Sequence, residues 1–159
     1  IISMAQTLAE YFGQGDLMLG PTVATVSDSA RSARAALAAH SVASSRNALA
    51  RPTLADDLLP ERMLAGDQLA KETLLKRYYL PLTSNSAELL QTLRAYLDHG
   101  GSLEGTAKSL YVHANTVRYR LKRVQETIGE DVTVPRIAYV VQTAIGVGLI
   151  SDAESGVRR

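Results

Sequence analysis

The stretch TAKSLYVHANTVRYRLKR, Thr106 to Arg123, carries five basic side chains and no acidic one. The whole chain of 159 residues is nearly balanced, with 17 basic and 16 acidic residues. A cluster of one sign in a neutral chain marks a directed surface. From this stretch onward, Val117, Leu121, Val124 and Ile128 recur at helical spacing; at ~100° per residue the other three lie within ~40° of Val117. The opposite face, centred near ~195°, holds Asn115, Tyr119 and Lys122, with Glu126 toward its far end. Thr116 and Arg123 lie beside it on one side and Arg118 on the other, while Arg120 falls nearer the apolar stripe. An amide, a hydroxyl, a phenol and several cations are the groups that read base edges and grip phosphates. The expected base readers are Asn115, Thr116, Arg118 and Tyr119. Ser102, Thr106, Lys108, His113, Arg120, Lys122 and Arg123 are expected to touch phosphates or flank the site, with Arg120 also able to brace a neighbouring helix. A charged face on an amphipathic helix is often only a solvated one, but such a face normally mixes signs.

The elements around this stretch can position it. Ser102 is suited to cap a short helix with Leu103, Ala107 and Leu110 at i, i+4 and i+7. A turn of three to four residues follows, and then the longer helix, which ends at Gly129. Two such helices joined by so short a turn make a helix-turn-helix. Ala107 is small enough for the helices to cross closely, and Val112 can plug the turn. His113 caps or flanks the second helix. Tyr111 stands where many such turns have Gly; a positive φ cannot be assumed for it, so a variant turn is expected.

Upstream, Leu89, Leu90, Leu93, Tyr96 and Leu97 form the apolar side of a helix begun by the capping-box-like pair Asn85 and Glu88 and ended by His99-Gly100-Gly101. Before it, QLAKETLLKRYY is expected as a helix capped by Asp67, with Leu69, Leu74 and Tyr78 inward, closed by Pro81. Downstream, Pro135 opens a helix with Ile137, Val140, Val141, Ala144 and Ile145 on one stripe, weakened at Gly146 and Gly148 by ~1 kcal/mol each. The remaining SDAESGVRR reads as a disordered tail. The first fifty residues differ in character: a helix over ISMAQTLAEYF, one or two edge-type strands in LMLGPTVATV, and an Ala-rich helix begun by Ser27 or Asp28, with Ala30, Ala33 and Leu37 on one face. The expected boundary falls between Ala50 and Leu59.

The fold class expected is therefore mainly α: a helical bundle containing a helix-turn-helix, preceded by a small α/β fragment. The expected domains are residues 1–52, residues 53–150 with the helix-turn-helix at about 102–128, and a tail at 151–159.

Other chemistry finds little support. No cysteine is present, which excludes disulfides, thiolate metal sites and cysteine nucleophiles. The glycines of GQGDLMLG fit neither GxGxxG nor a P-loop. His40, His99 and His113 show no metal-ligand spacing. Asp56, Asp57 and Glu61 read better as helix-start charges than as a metal site. There is no nucleophile elbow. No enzyme activity, cofactor or metal is expected, and no apolar run approaches the ~20 residues of a membrane span.

The segments LLQTLRAYLDHGGSLEGTAKSL and VHANTVRYRLKRV, with the apolar helix after Pro135, resemble the C-terminal helix-turn-helix of PucR/CdaR-type transcriptional regulators, over about Leu58 to Ile150. Leu17 to Ala50 resembles the end of the GGDEF-like domain that precedes this module in the family, without a GGDEF-type catalytic sequence. The resemblance implies a transcriptional regulator that binds a double-stranded DNA operator, with its effector sensed in an N-terminal region this chain lacks; the absence of cysteine fits the cytoplasm, and the few base contacts of one helix-turn-helix lead us to expect a homodimer. Two other readings stand beside it. One is a protein-interaction module whose basic helix docks an acidic partner or RNA polymerase. The other is an enzyme or nucleotide-binding remnant in residues 1–50.

Overall fold

The computed structural model describes residues 2–85 and 87–156, leaving aside the side chain of Asn85. The expected Asn85 cap and the last residues of the expected tail, 157–159, lie outside the described residues. The chain is mainly helical, with one two-stranded sheet. It divides into two compact units between Lys71 and Glu72.

The first unit contains α1 (Ile2–Ala9), β1 (Met18–Leu19), α2 (Ser29–Ser41), β2 (Thr53–Leu54) and α3 (Leu59–Leu64). The two strands pair in parallel, Met18 opposite Thr53 and Leu19 opposite Leu54. Parallel neighbours need a long crossover, and α2 supplies it. The face of α2 that packs is not the expected one. Ala35 and Ala39 are buried with Ala55 and Leu58, while Leu37 is 70% exposed. In a helix this rich in Ala, apolar spacing alone does not choose a face; close backbone approach does. Gly20 runs so near α2 that a Cβ there would lie 2.1 Å from the Ser32 carbonyl oxygen.

Polar groups close the rest of this unit. The Arg51 guanidinium donates to the carbonyls of Ala9 (3.1 Å), Phe12 (3.2 Å), Gly13 and Gly15 (2.9 Å), tying the end of α1 and the turn after it together. Arg62 is buried between Asp56 at 3.6 Å and Asp67 at 2.8 Å, and also donates to the Ala55 carbonyl. Asp67 uses its other oxygen to accept the Leu69 and Ala70 amides, so it caps α4 (Gln68–Leu74) as expected. Because β2, Ala55, Leu58 and Arg62 all pack back on this unit, the division falls beyond the 50–59 boundary read from the sequence.

Helix α4 continues into a π-helical segment, Leu75–Tyr79, and then α5 (Leu80–Asn85). Pro81, expected to close the helix, does not. It has no N–H for the Arg77 carbonyl, and its ring crowds that turn; a wider π turn just before it accommodates both. The remaining elements are α6 (Ala87–Asp98), α7 (Leu103–Ser109), α8 (Ala114–Ile128) and α9 (Pro135–Glu154). Their core includes Leu74, Leu82, Leu93, Val117, Val124, Val141 and Ala144, all inaccessible to solvent.

Before α9, the backbone N–H and hydroxyl of Thr133 both donate to Asp131, which holds that carboxyl below its usual range. Helix α9 runs to Glu154, past the expected start of the tail. Asp152 helps to hold it, accepting the Tyr79 hydroxyl at 2.7 Å. The apolar stripe of α9 (Val140, Val141, Ala144 and Ile145) is core. At Gly148 the helix lies against the Tyr79 ring.

Candidate nucleic-acid interface

Helices α6, α7 and α8 build the site. Helix α6 ends where Gly100 takes φ +61°, with Gly100 and Gly101 donating to the Leu97 and Tyr96 carbonyls. The chain then restarts at Ser102, whose hydroxyl oxygen accepts the Gly105 amide at 3.0 Å and caps α7. Thr106 does not reach the surface. It is fully buried and donates its hydroxyl to the Ser102 carbonyl at 2.7 Å, so of the two roles expected for it, touching a phosphate or flanking the site, its burial leaves the flanking one. Ala107, also buried, provides the small residue at the crossing.

The turn from α7 to α8 has a well-defined form. The Tyr111 amide donates to the Lys108 carbonyl, and the Val112 amide to the Ala107 carbonyl at 3.0 Å, the pair of bonds that ends a helix with one left-handed residue. That residue is Tyr111, with φ +54°. The positive φ that could not be assumed from sequence is present, so the turn is the ordinary one with an unusual occupant. Val112, half-buried, follows it. His113 then caps α8 by accepting the Asn115 amide on Nδ1 at 3.1 Å. Accepting through Nδ1 puts the ring proton on Nε2, which remains a donor.

Helix α8 buries Val117, Leu121, Val124 and Ile128, all four expected. Its opposite side exposes Asn115, Arg118, Tyr119, Lys122 and Arg123, with Thr116 half-buried at the margin. Arg118 donates to the Asn115 amide oxygen, so these two act as a pair. Arg123 donates to the Tyr119 hydroxyl at 3.4 Å and lies 3.5 Å from Glu126; the hydroxyl first, and then the carboxylate, reinforce its positive charge. Lys108 and Lys122 are exposed and make no ion pair among the described residues.

Arg120 is different, as its angle suggested. It turns away from the exposed face and donates to the Glu88 carboxylate at 2.8 Å and to the buried Thr92 hydroxyl at 3.2 Å, both on α6. Its place in the structure is a brace between α8 and α6. Glu88 and Thr92 are not legible in the sequence as its partners, because their contact spans 28 to 32 positions and leaves no local pattern. Four exposed cations remain across α7 and α8: Lys108, Arg118, Lys122 and Arg123.

Among the described residues no group of His, Asp and Glu could hold a metal ion, and no helix is long and apolar enough to cross a membrane.

Known proteins are similar to this chain in sequence, and one in structure. An uncharacterized protein of Mycobacterium tuberculosis is 41% identical over 140 residues, 88% of this chain and 34% of its own length. The purine catabolism regulatory protein of Bacillus subtilis is 36% identical over 78 residues, 45% of this chain and 15% of its own. A crystal structure of a regulator of polyketide synthase expression from Bifidobacterium adolescentis superposes with a TM-score of 0.84 at 38% identity, covering 94% of this chain and 60% of that one. The chain thus spans about a third of the length of its mycobacterial relative. The family model for the PucR C-terminal helix-turn-helix domain matches residues 89–147, from within α6 to within α9. With α7, the Tyr111 turn and α8 at its centre, that segment is similar to the PucR C-terminal helix-turn-helix domain.

Proposed function

We propose that this chain is the DNA-binding end of a transcriptional regulator that inserts α8 into the major groove of a specific operator. The observation that carries the proposal is the face of α8 from Asn115 to Arg123, which exposes Asn115, Arg118, Tyr119, Lys122 and Arg123 and no acid opposite a buried stripe, with Glu126 following only toward the far end. Helix-turn-helix proteins read bases with the first turns of the second helix. Asn115, Thr116, Arg118 and Tyr119 occupy those turns and are the base readers. Ser102, Lys108, His113, Lys122 and Arg123 contact phosphates. Arg120 supports the face from behind, through α6.

One such motif makes few base contacts, and regulators commonly double them through two-fold symmetry. The protein therefore acts as a homodimer in the cytoplasm. Its effector is sensed in a region outside this chain, and residues 1–52 are the end of a GGDEF-like regulatory domain. The β1-α2-β2 crossover supports that last assignment, as do the regulators named among the relatives the wider reading.

Selection of bound duplexes from a random pool tests this. Enrichment of a defined half-site is the expected result. Failure to enrich any sequence, together with capture of acidic protein partners by the same face, would favour the protein-docking reading.

A further inference from the structure

Helix ends in this chain that need a left-handed residue take glycine: Gly66 (φ +92°) after α3, Gly100 (φ +61°) after α6, Gly129 (φ +77°) after α8 and Gly156 (φ +71°) after α9. The end of α7 breaks that pattern. Tyr111, φ +54°, is the one non-glycine residue with positive φ among those described. A side chain in this conformation is strained, because Cβ crowds the adjacent carbonyl. Packing does not offset the strain here. The Tyr111 ring is 97% exposed, and its hydroxyl makes no hydrogen bond among the described residues. A large apolar ring is thus held in solvent, in a backbone conformation suited to glycine, in the turn that leads into α8. Strain of this kind without structural return points to function.

We infer that Tyr111 is a DNA-backbone contact, its phenol donating a hydrogen bond to a phosphate oxygen at the rim of the groove that α8 enters. The inference rests on the proposed DNA-binding function and adds to it a residue outside the basic face. The turn stands beside the N-terminus of α8, the end that goes deepest into the groove, so a side chain projecting from it meets the flanking phosphates rather than the bases. Tyrosine suits such a contact, because its hydroxyl donates to phosphate and its rigid ring keeps that hydroxyl at a set distance from the backbone. Contact at this point sets how deeply α8 sits.

Two variants separate the contact from the strain. Tyr111→Gly removes both, and Tyr111→Phe removes only the hydroxyl. Thermal melting should show Tyr111→Gly a few degrees more stable than the unaltered protein, while Tyr111→Phe stays level. Titration of selected and random duplexes should show both variants weakened by about tenfold on every sequence, as expected for loss of a hydrogen bond to a charged group. The slope of log K against log salt should not change, because a neutral phenol displaces no counterion. If both variants bind as tightly as the unaltered protein, the contact does not exist. If only Tyr111→Gly is weakened, the ring and not the hydroxyl matters, and the phosphate bond is wrong. If the unaltered protein binds no duplex, the DNA-binding function itself is refuted, which distinguishes the two failures.

Discussion

Individual side chains on α8 divide by what each contact would do. Lys122 and Arg123 are exposed cations, so replacing either with Ala should weaken binding to all duplexes alike and shrink the salt slope by ~0.9 per lost contact. An unchanged slope in both variants would remove them from the interface. Asn115 and Arg118, already paired on the first turns, should carry discrimination of about 1–3 kcal/mol at particular base pairs. Competition titrations with single-base operator variants check this; preference that survives Asn115→Ala and Arg118→Ala would move the reading function elsewhere. Arg120→Ala belongs to another class. It cuts the tie to Glu88 and Thr92, and because Glu88 is largely exposed the loss should be modest, about 1 kcal/mol of stability with base preference intact. Chemical denaturation with a Glu88→Ala, Arg120→Ala double-mutant cycle measures it. Which of these side chains α8 exposes was legible at ~100° per residue, including the outlying angle of Arg120. Thr106 was not, because a hydroxyl that turns back onto its own helix looks the same in sequence as one that faces solvent.

Elements were legible where one face of a helix is strongly apolar. Helix α8 and its four buried residues followed from spacing, and α6, α7 and α9 nearly so. Helix α2 was expected as a helix and formed, but its buried face was not the expected one, since its many alanines offer little contrast between faces. Pro81 misled because a proline usually stops a helix, and the π turn that lets α4 run on into α5 depends on tertiary packing. Gly146 and Gly148 show the same limit. Sequence assigns them equal costs, yet a Cβ at Gly146 meets nothing within 4 Å, while one at Gly148 would lie 2.3 Å from the Tyr79 ring. Gly146→Ala should therefore stabilise the protein by about 0.5–1 kcal/mol. Gly148→Ala should destabilise it by about 1–3 kcal/mol, because the buried ring must shift. Thermal melting of the two variants should move in opposite directions; a shift of the same sign would mean that α9 does not approach Tyr79 this closely.

Across the whole molecule, compact packing of the first unit continues past the boundary expected between Ala50 and Leu59, to Lys71. The fading periodicity after Ser41 suggested a linker, but the segment from Thr53 pairs with β1 and packs on α2, contacts between distant positions that no local pattern reveals. Assembly belongs to this scale as well. The stripe of α9 closes the core, so a subunit contact must use other surface. The exposed Tyr139, Leu149 and Ile150 remain available on that helix. Sedimentation of the protein with its selected duplex is expected to show two chains per operator, on half-sites about one helical turn (~34 Å) or a multiple apart. A strict one-to-one complex, with no dimer at high concentration, would refute the dimer.

The central claim is that the basic face of α8, from Asn115 to Arg123, binds duplex DNA with sequence preference. Equilibrium titration of the protein against the selected duplex and a scrambled one, across a salt series, tests it most directly. With Lys108, Lys122 and Arg123 on phosphates, log K should fall with log salt at a slope of about −2.7 per chain. The selected duplex should bind at least ~10³-fold more tightly than the scrambled one at physiological salt. Equal affinity for both duplexes, or binding indifferent to salt, would contradict it.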